Sequence, residues 1–147
     1  MNIRTMTIDD YDNIYALWMS CAGMGLNNLD DSRNGIDVFL KRNPGTCFIA
    51  EHANKVVGAI LVGNDGRRGY IYHTAVHPEY RKQGIASRLV DTALQALKKC
   101  GIHKAALVVF DRNRSGNQFW ENRGFTVRDD LVYRNKAIAE MIRTDNQ

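Results

Sequence analysis

The sequence contains little of what several protein classes require. Its 147 residues include two prolines and no low-complexity stretch, and 44% are hydrophobic and 24% charged, which excludes collagen-like, fibrous and disordered classes. The longest apolar runs, such as residues 105–110, are far shorter than the ~20 residues of a membrane-spanning helix. The first residues lead into no apolar signal core. We therefore expect a soluble, cytoplasmic protein.

The sequence also lacks a cysteine framework and a recognisable metal site. Cys21, Cys47 and Cys100 are widely spaced and form no CxxC pair, so we expect reduced, mostly buried thiols. His73 and His77 lie roughly 13 Å apart in an extended strand, which is too far for a shared metal ion. No metal site is predicted.

The length of the chain limits the number of domains, and its net charge indicates the kind of ligand. A chain of 147 residues has room for one domain at roughly 100–200 residues per domain, and we treat residues 1–147 as a single domain. The formal net charge is +4 and the isoelectric point about 9.1. This charge favours an anionic ligand but is too diffuse to require nucleic acid.

The hydrophobic pattern changes period along the chain and indicates mixed architecture. Helices are predicted from apolar residues three and four apart, and strands from β-branched and aromatic runs. In chain order we predict a strand at 3–7, a helix after Asp9, a weaker helix that ends before Pro44, strands at 47–50, 56–62 and 69–76, a helix at 86–99, a strand at 105–110, a helix at 117–122, and strands at 125–127 and 131–134. The run 105–110 is typical of a central strand covered on both faces. The predicted fold class is α+β, in which an antiparallel meander continues into a parallel pair and about four helices flank one mixed sheet.

The segment 76–89 carries the chemical signal. A strand ends there, a short basic loop follows, and the long helix begins at Gly84 with small residues next to it. Unpaired N–H groups in a first helical turn, together with the helix dipole, stabilise a phosphate or pyrophosphate. A Walker A loop is absent. The basic residues that would add positive charge are Arg81, Lys82 and Arg88.

The same residues resemble the acetyl-CoA motif of the GNAT N-acetyltransferases. The motif is Arg or Gln, two residues, Gly, one residue, and Gly or Ala, and the chain has it as Arg81-Lys82-Gln83-Gly84-Ile85-Ala86. Residues 75–80 are similar to the family's lead-in, and Asn113 followed by residues 119–125 is similar to its C-terminal signature. The resemblance covers essentially the whole chain. It implies an acetyl-CoA-dependent N-acetyltransferase that acts on a primary amine, and a dimer is common among relatives.

The resemblance also implies a cofactor site. The pantetheine arm would pair, as an added strand, with the backbone of Thr74, Ala75 and Val76, in a slot where the strands 69–76 and 105–110 splay. The Asn113 side chain would contact the arm. Backbone groups of the following residues would hold the pyrophosphate: Lys82, Gln83, Gly84, Ile85, Ala86 and Ser87.

Acetyl transfer to an amine needs a hydrogen-bond donor that stabilises the oxyanion, an amine in its neutral form, and a way to release the thiolate. The resemblance implies the Val76 N–H as the donor. Many relatives have a tyrosine that acts as a general acid where this chain has Trp120. We expect Trp120 either to line the cofactor slot or to belong to the core. Tyr70, Tyr72 and Thr74 are predicted to share one strand face. Tyr72, with Tyr70 beside it, is the predicted catalytic side chain, and it would orient a water because a phenol is a poor base. Ordinary strand aromatics are the alternative.

Other functions stay open. The absent tyrosine and the apolar Val108, at a position where relatives carry a base, would fit an acyl-CoA sensor without turnover. Arg67 and Arg68, followed by alternating tyrosines, would fit a small nucleic-acid-binding domain. Asp30 and Asp31 either attract a cationic amine or are solvated helix-cap residues. No motif identifies the acceptor.

Overall fold

A computed structural model describes residues 1–146 of the chain. Within this range the chain forms a five-stranded mixed sheet with four α-helices, which confirms the predicted fold class. The strands are β1 (Asn2–Thr5), β2 (Phe48–His52), β3 (Lys55–Asn64), β4 (Gly69–Val76) and β5 (Ala105–Ala106). The helices are α1 (Tyr11–Met19), α2 (Arg33–Arg42), α3 (Ile85–Lys99) and α4 (Arg114–Asn122). Among the described residues, no helix combines the length and apolar character needed to cross a membrane.

Strand order follows chain order, and the last pair is parallel. β1 to β4 form an antiparallel meander, and β5 is parallel to β4. The β2–β3 hairpin turns at Ala53 and Asn54, whose φ values of 50° and 63° are those of a tight two-residue turn. A parallel pair needs a crossover connection, which α3 supplies as predicted.

One apolar cluster on each face of the sheet holds these elements together. On one face, α1 and α2 bury Ile14, Trp18 and Ile36 against β2 and β3. On the other face, α3 buries Leu89 and Val90, because its apolar residues recur every three or four positions. Both layers reach β4, so this strand is supported from two sides.

The prediction of a central strand at 105–110 is wrong. Pairing ends after Ala106, and the following residues alternate between half-buried and exposed, with Val108 57% and Phe110 40% exposed. The segment lies at the edge of the sheet, and only one of its faces packs on the α3 cluster. An apolar run alone does not distinguish an edge strand from a central one.

The predictions of strands at 125–127 and 131–134 are also wrong. Neither segment pairs with the sheet, and the side chains of Val127, Leu131 and Tyr133 are exposed. Each pattern is only three or four residues long, and a strand that short needs a partner ladder to be stable.

The C-terminal residues return to the loop between α1 and α2. The side chain of Asp145 accepts hydrogen bonds from the N–H groups of Gly25 and Leu26, at 3.0 and 2.8 Å. Asn28 N donates to Ile142 O at 2.9 Å, and Asn28 Oδ1 accepts from Ile142 N at 2.6 Å. These contacts fix one side of the loop that precedes α2.

Candidate active site

The hydrogen-bonded ladder between β4 and β5 is short, and the unpaired stretch beyond it is a gap in the pairing of the sheet. The parallel ladder pairs Gly69 with Ala105 and Tyr70 with Ala106, and then stops. From Ile71 to Val76, β4 pairs on that side with none of the residues that the structure describes. This unpaired edge lies where the sequence predicted a slot.

The backbone of Val76 faces this gap. Val76 is the register partner of Gly58, and the flanking hydrogen bond runs from His77 N to Val57 O at 2.8 Å. In an antiparallel ladder this makes Gly58 and Val76 a non-hydrogen-bonded pair. The N–H of Val76 therefore points away from β3, toward the gap.

The same alternation corrects one predicted cofactor contact. Thr74 is two residues from Val76, so its backbone also faces the gap. Ala75 lies between them and pairs with Ala59, so its backbone groups are directed to β3 and cannot pair with an added strand. Of the three predicted backbone partners, two are available.

Arg81 braces the end of β4 instead of facing the start of α3. Its Nε donates to Val76 O at 3.1 Å, and its Nη2 lies 3.5 Å from Cys21 Sγ. Cys21 Sγ is also 3.6 Å from Val76 O. The predicted role of Arg81 in adding charge near the pyrophosphate does not match this placement, whereas Lys82 and Arg88 are exposed beside the helix start.

The start of α3 has the geometry expected of an anion site. Gly84 precedes the first helical residue with a φ of 78°, and no side chain caps this end. A Cβ at Gly84 would meet no atom within 4 Å, so the space in front of the first N–H groups is open. Lys82 also has a positive φ, 63°, which turns the loop sharply into the helix. The backbone from Lys82 to Ser87 can therefore surround a small anion.

Asn113 and Trp120 have structural roles in this fold. Asn113 Oδ1 accepts from Gly116 N at 2.9 Å and caps the start of α4. Trp120 is buried and packs against the rings of Phe119 and Phe125, about 5 Å between centroids. Its position favours the core interpretation over a wall of the slot.

A bulge in β4 changes which side chains share a face. Ile60 pairs with Thr74 and Val62 pairs with Ile71, so two residues of β4 lie opposite Leu61 alone. Tyr72 packs on Phe39 of α2, and the next residue, His73, packs on Trp18 of α1. Both therefore face α1 and α2, and Thr74 lies on the opposite face. The prediction that Tyr70, Tyr72 and Thr74 share one face is wrong for Thr74 because the bulge inserts one residue.

The residue that sequence reasoning missed is His73. Its Nε2 lies 2.7 Å from Asp31 Oδ1, and the two side chains are 15% and 5% exposed. Asp31 Oδ2 accepts from Asn27 N at 2.8 Å. Asp31 is thus neither a free attractor of cations nor a solvated cap, because the N-cap of α2 is Ser32. Asp30 stays exposed.

The tyrosines beside His73 remain protonated. Burial raises the pKa of Tyr72 above its ordinary value of 10.0, and the charge of Asp30 raises it further. Burial raises the pKa of Tyr70 in the same way. A phenol with a raised pKa is a poorer base, so these side chains can donate hydrogen bonds and offer ring faces, but they cannot take up a proton at neutral pH.

The nucleic-acid alternative finds no support in this arrangement. Arg67 and Arg68 are in a turn, where Asp65 Oδ1 accepts from both of their N–H groups at 2.8 Å. The ring of Tyr72 packs toward α2. Basic and aromatic residues therefore form no continuous groove, which a single strand of nucleic acid would need.

Comparisons with known proteins agree with this geometry. Residues 11–125 match the family described as the Acetyltransferase (GNAT) family. A protein named acetyltransferase from Sodalis glossinidius is 32% identical over 95% of this chain and 97% of its own length. A protein of the same name from Photorhabdus laumondii is 36% identical, with 95% and 98% covered.

A solved structure shows the same fold. The PaiA N-acetyltransferase of Thermoplasma acidophilum, in complex with coenzyme A, superposes with a TM-score of 0.75 at 21% identity, over 88% of this chain and 92% of that one. The chain therefore belongs to the GNAT acetyltransferase family and is an acetyl-CoA-dependent N-acetyltransferase.

Proposed function

We propose that this enzyme transfers the acetyl group directly to a primary amine while acetyl-CoA and the amine are both bound. The observation that carries the proposal is the gap between β4 and β5, which has the free N–H of Val76 on one side and leads to the open start of α3. An extended arm fits along the unpaired edge of β4. The attached pyrophosphate fits at the helix start.

The residues of the helix start would hold the anionic part of acetyl-CoA. Their backbone N–H groups are the donors, and the absence of a Cβ at Gly84 keeps the approach open. Lys82 and Arg88 are exposed there and add positive charge. When bound, acetyl-CoA supplies the acetyl thioester.

The N–H of Val76 would stabilise the carbonyl oxygen as it gains negative charge. A fixed backbone donor is effective because it needs no reorganisation during the reaction. The carbonyl of Val76 is held by Arg81 at 3.1 Å, so the peptide unit after Val76 cannot turn freely. This bracing keeps the end of β4 in place.

His73 would accept the proton of the amine. A carboxylate can only accept hydrogen bonds, so Nε2 of His73 carries the hydrogen that Asp31 binds. In the neutral form of the ring, Nδ1 then has the lone pair that a base requires. The amine nitrogen attacks the carbonyl carbon, its proton passes to Nδ1, the carbon–sulfur bond breaks, and the thiolate takes a proton from solvent. Tyr70 and Tyr72 would line the acceptor side rather than take the proton.

Calorimetric titration tests the cofactor site. Acetyl-CoA and desulfo-CoA are titrated separately at two salt concentrations, and we expect micromolar binding of both that weakens as salt rises, because the pyrophosphate is anionic. If neither compound binds, the proposal is overturned. The release of free thiol in the presence of a panel of primary amines then measures turnover. Binding without turnover of any amine would favour the sensor alternative.

A further inference from the structure

An aromatic surface beside His73 is left partly uncovered. The rings of Tyr70 and Tyr72 are 4.6 Å apart, and Phe39 meets Tyr72 at 5.6 Å, nearly at a right angle. Tyr72 is nevertheless 49% exposed. Covering such a ring releases free energy, so a ligand with an apolar body is stabilised on this surface.

A carboxylate lies next to these rings. Asp30 is exposed. Its Oδ2 accepts a hydrogen bond from Asn27 Nδ2 at 3.1 Å, and its backbone N–H donates to Asn27 Oδ1 at 2.8 Å. The next residue, Asp31, is bonded to His73 at 2.7 Å. Because His73 directly follows Tyr72 in β4, this bond holds the loop that carries Asp30 close to Tyr72. Within residues 1–146, Asp30 forms no ion pair with a Lys or Arg side chain.

The segment of the sequence that contains Asp30 has a formal charge opposite to that of the whole protein. Between positions 9 and 37 there are six aspartates and one basic residue, Arg33, although the net charge of the protein is +4. Three of these aspartates have a lysine or arginine partner: Asp10 pairs with Arg4, Asp12 with Arg33 and Asp37 with Lys41. The charge of Asp30 has no such partner in the described part of the chain, so it is available to a cation, whereas the start of α3 attracts anions.

We propose that the acceptor is a primary amine with an aromatic or apolar body, bound as its ammonium ion beside Asp30 and against the ring of Tyr72. The ammonium ion releases one proton to solvent before its nitrogen attacks, and the second proton passes to His73 as described above. An ammonium ion is stabilised both by a carboxylate and by the face of an aromatic ring. The body of the amine covers Phe39 and Tyr70. This assignment rests on the proposed function, because it places the amine on the face of β4 that carries His73.

Binding of simple amines tests the assignment without knowledge of the natural acceptor. Phenethylamine is titrated into the full chain, with and without coenzyme A, and backbone NMR shifts are followed. We expect saturable shifts at Asp30, Tyr72 and His73. Phenylalanine adds a carboxylate that Asp30 repels, and 2-phenylethanol lacks the charge, so each should bind at least ~5-fold more weakly.

Two variants separate charge from shape. Asp30→Asn removes the charge and Tyr72→Leu keeps an apolar side chain without a ring, and each should weaken phenethylamine binding about fivefold. Asp129→Asn and Tyr80→Ala, at other positions, should leave it unchanged. Equal binding of 2-phenylethanol, an unaltered affinity in Asp30→Asn, or binding of spermidine but not phenethylamine would overturn the assignment.

The titrations with and without coenzyme A test the acceptor assignment and the proposed function separately. Coenzyme A binding without amine binding would overturn the acceptor assignment alone. Amine binding without coenzyme A binding would overturn the proposed function and leave a cation site on β4.

Discussion

His73 Nε2 and Asp31 Oδ1 lie 2.7 Å apart, although 42 positions separate the two residues in the chain. The loop before α2 supplies the carboxylate and the bulged part of β4 supplies the imidazole. A carboxylate in this position fixes both the ring orientation and the tautomer of a histidine. The pair thus connects the loop to the strand that borders the cofactor gap.

Replacement of His73 by Gln should lower kcat by about 10²–10⁴-fold, because proton transfer by a positioned base contributes about that much. Asp31→Asn should lower kcat less, since it acts through His73. Binding of acetyl-CoA should not change in either variant. Steady-state kinetics with the first amine that is acetylated measure both effects, with the exposed His103→Gln as control.

The double variant provides the sharper test of this pair. If Asp31 acts by orienting His73, then the combined variant should be no slower than His73→Gln alone. Independent, multiplied losses would show that the two residues do not form a unit.

Substitution of Gly84 by Glu should abolish the rise in melting temperature that acetyl-CoA causes. The new side chain places bulk and negative charge where the pyrophosphate is expected. Gly101 is a matched control, because its φ of 79° and its open surroundings are nearly those of Gly84, but it lies at the other end of α3. Thermal unfolding of both variants, with and without acetyl-CoA, measures the shift in melting temperature in each. Loss of the ligand-induced shift in Gly101→Glu as well would indicate strain rather than a lost anion site.

Asp145 should stabilise the fold above about pH 4. Burial alone would raise its pKa, but hydrogen bonds from Arg143, Leu26 and Gly25 outweigh it and lower the pKa below the ordinary 3.8. A lowered pKa in the folded state means that this stabilisation is present above the unfolded-state pKa and is lost as pH falls through the folded-state pKa. At pH 7, Asp145→Asn should lower the free energy of unfolding, measured by urea denaturation, by about 1–3 kcal/mol.

The destabilisation by Asp145→Asn should become smaller as the pH falls below about 4, because the native carboxylate takes up a proton once the pH passes through its lowered pKa. The exposed Asp129→Asn serves as the reference. A cost that is the same at every pH would mean that the charge of Asp145 contributes nothing.

One thiol should react rapidly with Ellman's reagent under native conditions. Cys100 is exposed, whereas Cys21 and Cys47 are buried, and burial raises the pKa of Cys47 to about 12. Because the thiolate is the reactive form, Cys47 should stay inert at neutral pH. Cys100→Ser should remove the fast phase, and all three cysteines of the native chain should react after denaturation. A fast thiol that persists in Cys100→Ser would contradict the buried placement of the other two.

The elements with long, regular patterns were predictable from the sequence. β4 spans the predicted residues, and α3 ends at the predicted Lys99, since a complete period-two or 3.6-residue pattern specifies one element. The helix start at Gly84 followed from its position before an amphipathic run. The start of α3 was therefore accessible to sequence reasoning, whereas the pairing of Ala75 with β3 and the contact of Arg81 with Val76 O were not.

The acceptor side was not accessible because one inserted residue controls it. The bulge places Tyr72 and His73 on the same face of β4, and no residue type in that strand marks a bulge. The hydrogen bond from His73 to Asp31 depends on the path of a loop, which periodicity does not specify. A bulge that sets two adjacent side chains toward one face is a local exception to the alternation rule.

The contact between the C-terminal residues and the loop before α2 also makes the loop depend on the far end of the chain. The loop residues Gly25 and Asn28 receive their partners from Asp145 and Ile142, which are synthesised 120 and 114 residues later. Closing a loop of that length costs conformational entropy, which these hydrogen bonds help to offset. Removal of the last residues of the described chain would therefore loosen the loop that carries Asp31, while the pairing of β1 to β4 stays in place.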